Sequence, residues 1–158
     1  MNRLIMVSLL SLSMATPAAA GDLISASPDV VYQAAMEVAL DLGAMPSTSN
    51  DKLRFFKTDT VKLKPTEEQA DCGSMFGIAY VKDDRTVVEV SYTVRVKPSG
   101  DASDIDVSTS LVGYYDESRN AISNFMSDKK RDHDDLLDCK STGVFESEFV
   151  ARVQTKLR

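Results

Sequence analysis

One histidine and two cysteines are all that this 158-residue chain offers of the residue types that most often do chemistry. No CxxC pair and no second histidine exist, so a usual zinc site cannot be assembled. No GxSxG elbow occurs, and the lone His133 lies in the charged run Asp132-His133-Asp134-Asp135, which weakens serine hydrolysis. Asp101, Asp104 and Asp106 cluster near a turn, but no bidentate glutamate follows at the EF-hand distance. The apolar run at residues 4–14 is too short to cross a bilayer, and no second one follows. A basic surplus is missing as well. Eighteen Lys and Arg face 24 Asp and Glu, for a formal net charge of -6. Such a chain repels phosphate backbones and anionic lipid, so nucleic acid is not the expected partner. Repeats and low-complexity stretches are also absent.

What is present begins with an address. Met1-Asn2-Arg3 is a short basic start, residues 4–14 are apolar, and Ala18-Ala19-Ala20 is an A-x-A site. This pattern predicts a secretory signal peptide over residues 1–20, cleaved near Ala20, and a single mature domain over residues 21–158. The expected location is periplasmic or secreted. No cysteine comes directly after the cleavage site, so an N-terminal lipid anchor is not expected.

An even cysteine count in an exported chain predicts a bridge between Cys72 and Cys139. The rival is a pair of free thiols or metal ligands, with His133 as a poor third ligand. A loop of this length closes for roughly 4 kcal/mol by chain entropy.

The middle of the chain reads as helix, then strands, then helix. Residues 23–26 suit a first strand. Ser27 and Pro28 open a helix as N-cap and first residue, with Asp29 at its positive end. Val31, Ala34, Ala35, Val38 and Leu42 share one face, and Gly43 closes it. Four strands are predicted over residues 52–63, 75–81, 86–96 and 103–113. Phe55 and Phe56 place one aromatic on each side of the first unless a bulge intervenes. Phe76, Ile78 and Tyr80 alternate in the second. In the third, Val88, Val90, Tyr92, Val94 and Val96 point one way and charged or polar residues the other. Residues 97–101 form a hairpin turn, and Ile105, Val107, Thr109 and Leu111 point inward beyond it. Ile122, Phe125 and Met126 suggest a short helix, and residues 127–138 a charged surface excursion. A last helix carries Phe145, Phe149, Val153 and Leu157 in one stripe. Thr142 or Gly143 caps it, with Glu146 and Glu148 early and Arg152, Lys156 and Arg158 late.

The predicted class is therefore α+β, in the order β-α-β-β-β-β-(α)-α. An antiparallel sheet of four to five strands keeps one polar face, so both main helices pack on the other.

Few residues suggest chemistry. Glu67 with Glu68 and Glu146 with Glu148 are carboxylate pairs without glycosidase geometry. No catalytic residue, metal or cofactor is expected. The residues of most interest are Glu67 and Glu68 in the loop 64–73, and His133 and Asp135 in the excursion 127–140, as interaction loops. Phe145, Phe149 and Val153 either face a ligand or fill the core.

Ser27-Pro28-Asp29-Val30-Val31-Tyr32-Gln33-Ala34-Ala35, with Asp41-Leu42-Gly43 closing the helix, resembles the opening of small bacterial envelope domains of helix-grip type, the BamC-like domains among them. The resemblance implies a strand, a helix, an antiparallel sheet and a C-terminal helix, and no catalytic residues. Two functions are expected from these readings. The first is a non-enzymatic accessory or binding domain that contacts another envelope protein. The alternative is a carrier of a small apolar ligand or lipid held between the sheet and the last helix.

Overall fold

The clearest alternation in the sequence becomes one arm of a long hairpin. In the computed structural model, which describes residues 22–115 and 136–158, strand β8 covers Thr86–Ser99 and β9 covers Ala102–Tyr115. They pair antiparallel along their whole length, from Ser99↔Ala102 at the turn to Thr86↔Tyr115 at the open end. The predicted turn at residues 97–101 tightens to Gly100 and Asp101, with Gly100 at φ 60°. Val88, Val90, Tyr92, Val94 and Val96 are buried on one face together with Ile105 and Leu111. The other face sets Arg95 across from Asp106 and Lys97 across from Asp104.

Shorter strands line both edges of this hairpin. On the outer edge of β9 lie β1 (Asp22–Ile24), at Ser103 to Ile105, and β10 (Leu136–Ser141), at Leu111 to Tyr114. On the outer edge of β8 lie β3 (Phe55–Thr58) and β4 (Val61–Leu63). Outermost are β2 (Pro46–Asn50), beside β3, and β5 (Ala70–Asp71), beside β10. The sheet thus has eight strands, not four to five. Segments of two to six residues on the sheet edges carry too few alternations to be read from sequence.

The predicted strand 52–63 starts late, because Asp51–Leu53 form a 3-10 turn, and from Phe55 it is two strands with a bulge between them. Lys57 lies opposite Thr93 and Val61 opposite Val90, so one extra residue sits on the β3–β4 side. Tyr92 N–H donates to Thr58 Oγ1 at 2.9 Å, and Asp59 N–H turns away to the Met45 carbonyl at 2.8 Å. The extra residue changes the parity of the strand. Phe56 and Thr58 face the core before it; Val61 and Leu63 pack against the core after it. Phe55 takes the opposite side from Phe56, as expected of adjacent aromatics.

Two further expectations need correction. Residues 75–81 are not a strand of the sheet. They belong to a separate two-stranded hairpin, β6 (Ser74–Met75) and β7 (Ile78–Ala79), and a 3-10 turn at Tyr80–Lys82. The end of the presumed charged excursion is strand β10, because Cys139 and Leu137 turn inward between exposed neighbours. The expected signal peptide, the expected short helix at Ile122, Phe125 and Met126, and both His133 and Asp135 lie outside the described residues.

Helix α1 (Pro28–Asp41) begins after Ser27, whose backbone is extended and whose carbonyl accepts from Val31 N–H at 3.0 Å. The Ser27 hydroxyl makes no capping bond. Gly43, at φ 76°, ends the helix. Its N–H reaches the Leu40 carbonyl and Ala44 N–H reaches that of Ala39, a Schellman closure. Helix α2 (Val144–Lys156) starts from Gly143 and lies beside α1 on the same face of the sheet. Ala34 and Ala35 keep α1 close to the strands, while Phe149 packs its ring 5.2 Å from that of Tyr92. Lys156 ties the two helices, 3.0 Å from Asp41 and 3.3 Å from Glu37.

Tyr32 locks α1 to the turn after β2. Its hydroxyl donates to Asp51 Oδ1 at 2.9 Å. Burial, and then the Asp51 carboxylate, push its pKa from 10.0 up to about 12. The native state therefore holds this proton more tightly than the unfolded chain. The resulting stability is complete below pH 10.0 and is lost as pH rises towards about 12, because the unfolded phenol ionises first. Urea midpoints measured across that window should fall more steeply for the wild type than for Tyr32→Phe.

Candidate functional site

The segment between β4 and β8 is irregular, yet it is fastened at many points. Pro65 and Ala70 are buried. Gln69 and Ala70 N–H both reach the Thr66 carbonyl at 3.1 Å, and Gln69 Oε1 accepts from Thr66 N–H. Strand β5 then pairs Ala70 with Ser141 and Asp71 with Lys140. Thr142 adds two bonds at the foot of α2. Its N–H donates to the Gln69 carbonyl at 3.2 Å, and its hydroxyl to the Glu68 carbonyl. Cys72 and Cys139 are joined, with their sulfurs 1.97 Å apart across 67 residues of sequence. The predicted bridge is therefore the one that fastens this loop to β10.

Gly113 makes room for the bridge. A Cβ at that position would lie 2.5 Å from Cys139 Sγ and 3.0 Å from the Leu137 Cβ. Only glycine fits there without displacing the sulfur.

Beyond Cys72 the chain projects as the β6–β7 hairpin. Its base is closed by Gly73 N–H on Asp71 Oδ1 at 2.9 Å and by Tyr80 N–H on the Gly73 carbonyl at 3.0 Å. Met75 pairs with Ile78, leaving Phe76 and Gly77 as the two turn residues. Their φ angles are 50° and 79°. Positive φ at both central positions is the I′ hairpin pattern, which favours Asn-Gly or Asp-Gly. A phenylalanine at φ 50° is strained, by about 1–2 kcal/mol relative to an ordinary conformation. Its ring gains nothing from the fold in return, being 98% exposed, and Ile78 beside it is 64% exposed. Val81 then returns to the core. Around the base, Lys82 pairs with Glu67 at 2.8 Å, Lys64 with Asp84, and Arg85 with Asp83 at 2.6 Å.

The residues singled out from sequence divide between this region and the core. Glu67 is an ion-pair partner of Lys82, and Glu68 contributes a carbonyl to the loop's fastening. Phe145, Phe149 and Val153 are buried, the last two at 1% and 0% exposure. They fill the space between α2 and the sheet. Tyr92, packed against Phe149, has its hydroxyl pKa raised by burial and then by the Glu146 and Glu148 carboxylates.

Glu146 has a structural task. Strands β1 and β10 leave a gap on the outer edge of β9. Glu146 Oε1 fills it, accepting from Thr109 N–H at 3.1 Å and from the Thr109 hydroxyl, while Oε2 accepts from Ser141 at 2.6 Å. A carboxylate here replaces a missing strand.

A concavity lies on the helix-free face. It holds about 220 Å³ and is lined by Phe55, Thr93, Arg95, Asp106 and Ser108, with the Arg95 guanidinium 5.6 Å from the Phe55 ring centre. It is smaller than the roughly 300–1,000 Å³ of small-molecule sites. Among the described residues no three His, Cys, Asp or Glu side chains gather as a metal cluster, and no helix is long and apolar enough to cross a membrane.

The exposed tip was not visible from sequence. Phe76 sits in an alternating run that reads as a buried strand, and only the adjacent Gly77 hints at a turn. No protein-family model matches the chain, and no curated protein matches it either.

Two stability measurements check this account. Replacing Cys72 and Cys139 together by alanine should lower the unfolding free energy by about 4 kcal/mol in urea titrations. Phe76→Asn creates the preferred turn pair with Gly77 and should raise it by about 1 kcal/mol.

Proposed function

We propose that the chain is a non-enzymatic accessory or binding domain of the bacterial envelope. In this reading, residues 1–20 direct export and are removed, and the mature domain works in the periplasm or beyond the cell. Its contact region is the end of the fold built by residues 64–84 and β10, and its partner is another envelope protein.

The observation that carries this reading is the construction of that end. An irregular segment is held by a disulfide, a two-residue strand pairing and the bonds from Thr142, and it offers apolar side chains to solvent rather than to the core. Rigid scaffolds that hold loops outward are the usual platform for recognition. A joined cysteine pair suits an oxidising compartment. The net charge of -6 speaks for protein over nucleic acid. The likeness of the α1 opening to BamC-like domains points to the same compartment.

The carrier alternative draws no support from the residues that suggested it. Phe145, Phe149 and Val153 are packed among core side chains, and the ring of Phe149 rests on that of Tyr92.

The test is co-purification of the tagged mature protein from intact envelopes. One envelope protein should be recovered in constant proportion, and less of it with the Cys72→Ala/Cys139→Ala variant. Repeated recovery of the domain alone would overturn the proposal.

A further inference from the structure

We propose that Phe76 is the anchor of this contact: its ring enters an apolar pocket on a protein partner, and the β6–β7 hairpin is the arm that carries it there. The inference rests on the binding-domain reading above.

Three observations converge on the ring. It is almost wholly in water, at 98% exposure, with Ile78 at 64% beside it. It occupies a turn position at φ 50° that a bulky side chain disfavours and that asparagine would fill with less strain. A strained residue whose side chain stabilises nothing within its own fold is a candidate for a role outside it. The arm is also preorganised. Its base is closed by the Gly73–Asp71 and Tyr80–Gly73 bonds, and Cys72 immediately before it is fixed to Cys139. Little loop entropy remains to be lost on docking.

The chemistry around the arm selects protein over lipid. The lysines near its base are matched by acids, Lys82 with Glu67 and Lys64 with Asp84. Among the described residues 64–85 and 136–141, four Lys and Arg stand against six Asp and Glu, so no surplus of cations is left there to hold anionic headgroups, and the chain as a whole carries -6. One ring and one isoleucine are also a thin apolar surface for a bilayer, where stable anchoring takes two strong signals. A ring-deep pocket with a polar rim fits better. The ring would be the desolvated centre and the ion pairs of both signs the wet border. Burial of one phenylalanine ring is worth about ten- to a hundred-fold in affinity.

The experiment places a photo-crosslinking amino acid at position 76, and separately at the exposed Lys57 on the far face of the sheet, in the full chain expressed in intact cells. Position 76 should give an adduct of one defined mass. Excess unlabelled wild-type protein added to permeabilised cells should abolish it, whereas Phe76→Asn should compete about ten- to a hundred-fold more weakly. That variant should keep or raise its urea midpoint. Phe76→Gly, which also accepts positive φ, serves if the asparagine form fails to fold. An adduct from position 57 alone, competed equally by wild type and Phe76→Asn, would overturn the anchor and leave the binding domain standing. Adducts to lipid alone, or binding to vesicles of phosphatidylethanolamine and phosphatidylglycerol that Phe76→Asn abolishes, would assign the ring to a membrane and overturn the protein pocket. No saturable adduct from either position would overturn both readings.

Discussion

The antiparallel ladder between β8 and β9 decides which way every other part of the molecule faces. Its fourteen-residue arms put a row of valines and Tyr92 on one side and mostly polar and charged residues on the other. Once that ladder forms, apolar area is available on one face only, and the helices have a single place to go. Its edges do the rest. Each long strand offers unpaired backbone groups on its outer side, and short segments satisfy them: β3 and β4 on β8, β1 and β10 on β9. Where no segment reaches, the Glu146 carboxylate does.

The legible parts of the fold are those whose pattern is local and long. The stripe of Val31, Ala34, Ala35 and Val38 spans about two helical turns, and so does that of Phe145, Phe149 and Val153; both faces are buried. The valine alternation of β8 runs far beyond chance. The edge strands give no such signal. β10 has one buried residue, Cys139, between charged neighbours, and β2 is a polar run of proline, serines, threonine and asparagine. These become strands because a partner edge is waiting, which is information held elsewhere in the chain. The hairpin at Phe76 fails for a different reason. Side chains at positions 76, 78 and 80 alternate equally well in a strand and across a tight turn, and only the sign of φ at Phe76 and Gly77 separates the two. The cysteine pair was the exception among long-range features, because two cysteines allow one pairing.

The candidate site and the core follow opposite rules of economy. In the core, strain is avoided and volume is matched down to the missing Cβ of Gly113 beneath Cys139. At the hairpin, a strained backbone carries a ring that touches little. Such local disagreement between what a residue prefers and where it is placed is expected where selection acts on something other than stability. The disulfide lies on the boundary between these regimes, one sulfur in a core-facing strand and the other at the root of the projecting arm.

The bulge between β3 and β4 marks the one spot on this edge where the chain could be a residue shorter without turning a strand over. Phe56 and Thr58 face inward at even numbers, Val61 and Leu63 at odd ones. Loss of a single codon between Thr58 and Val61 would remove the extra residue and merge the two segments into one regular strand, with Val61 and Leu63 still turned inward. What the extra residue adds is therefore not facing but attachment, the Asp59 N–H bond to the Met45 carbonyl just ahead of β2.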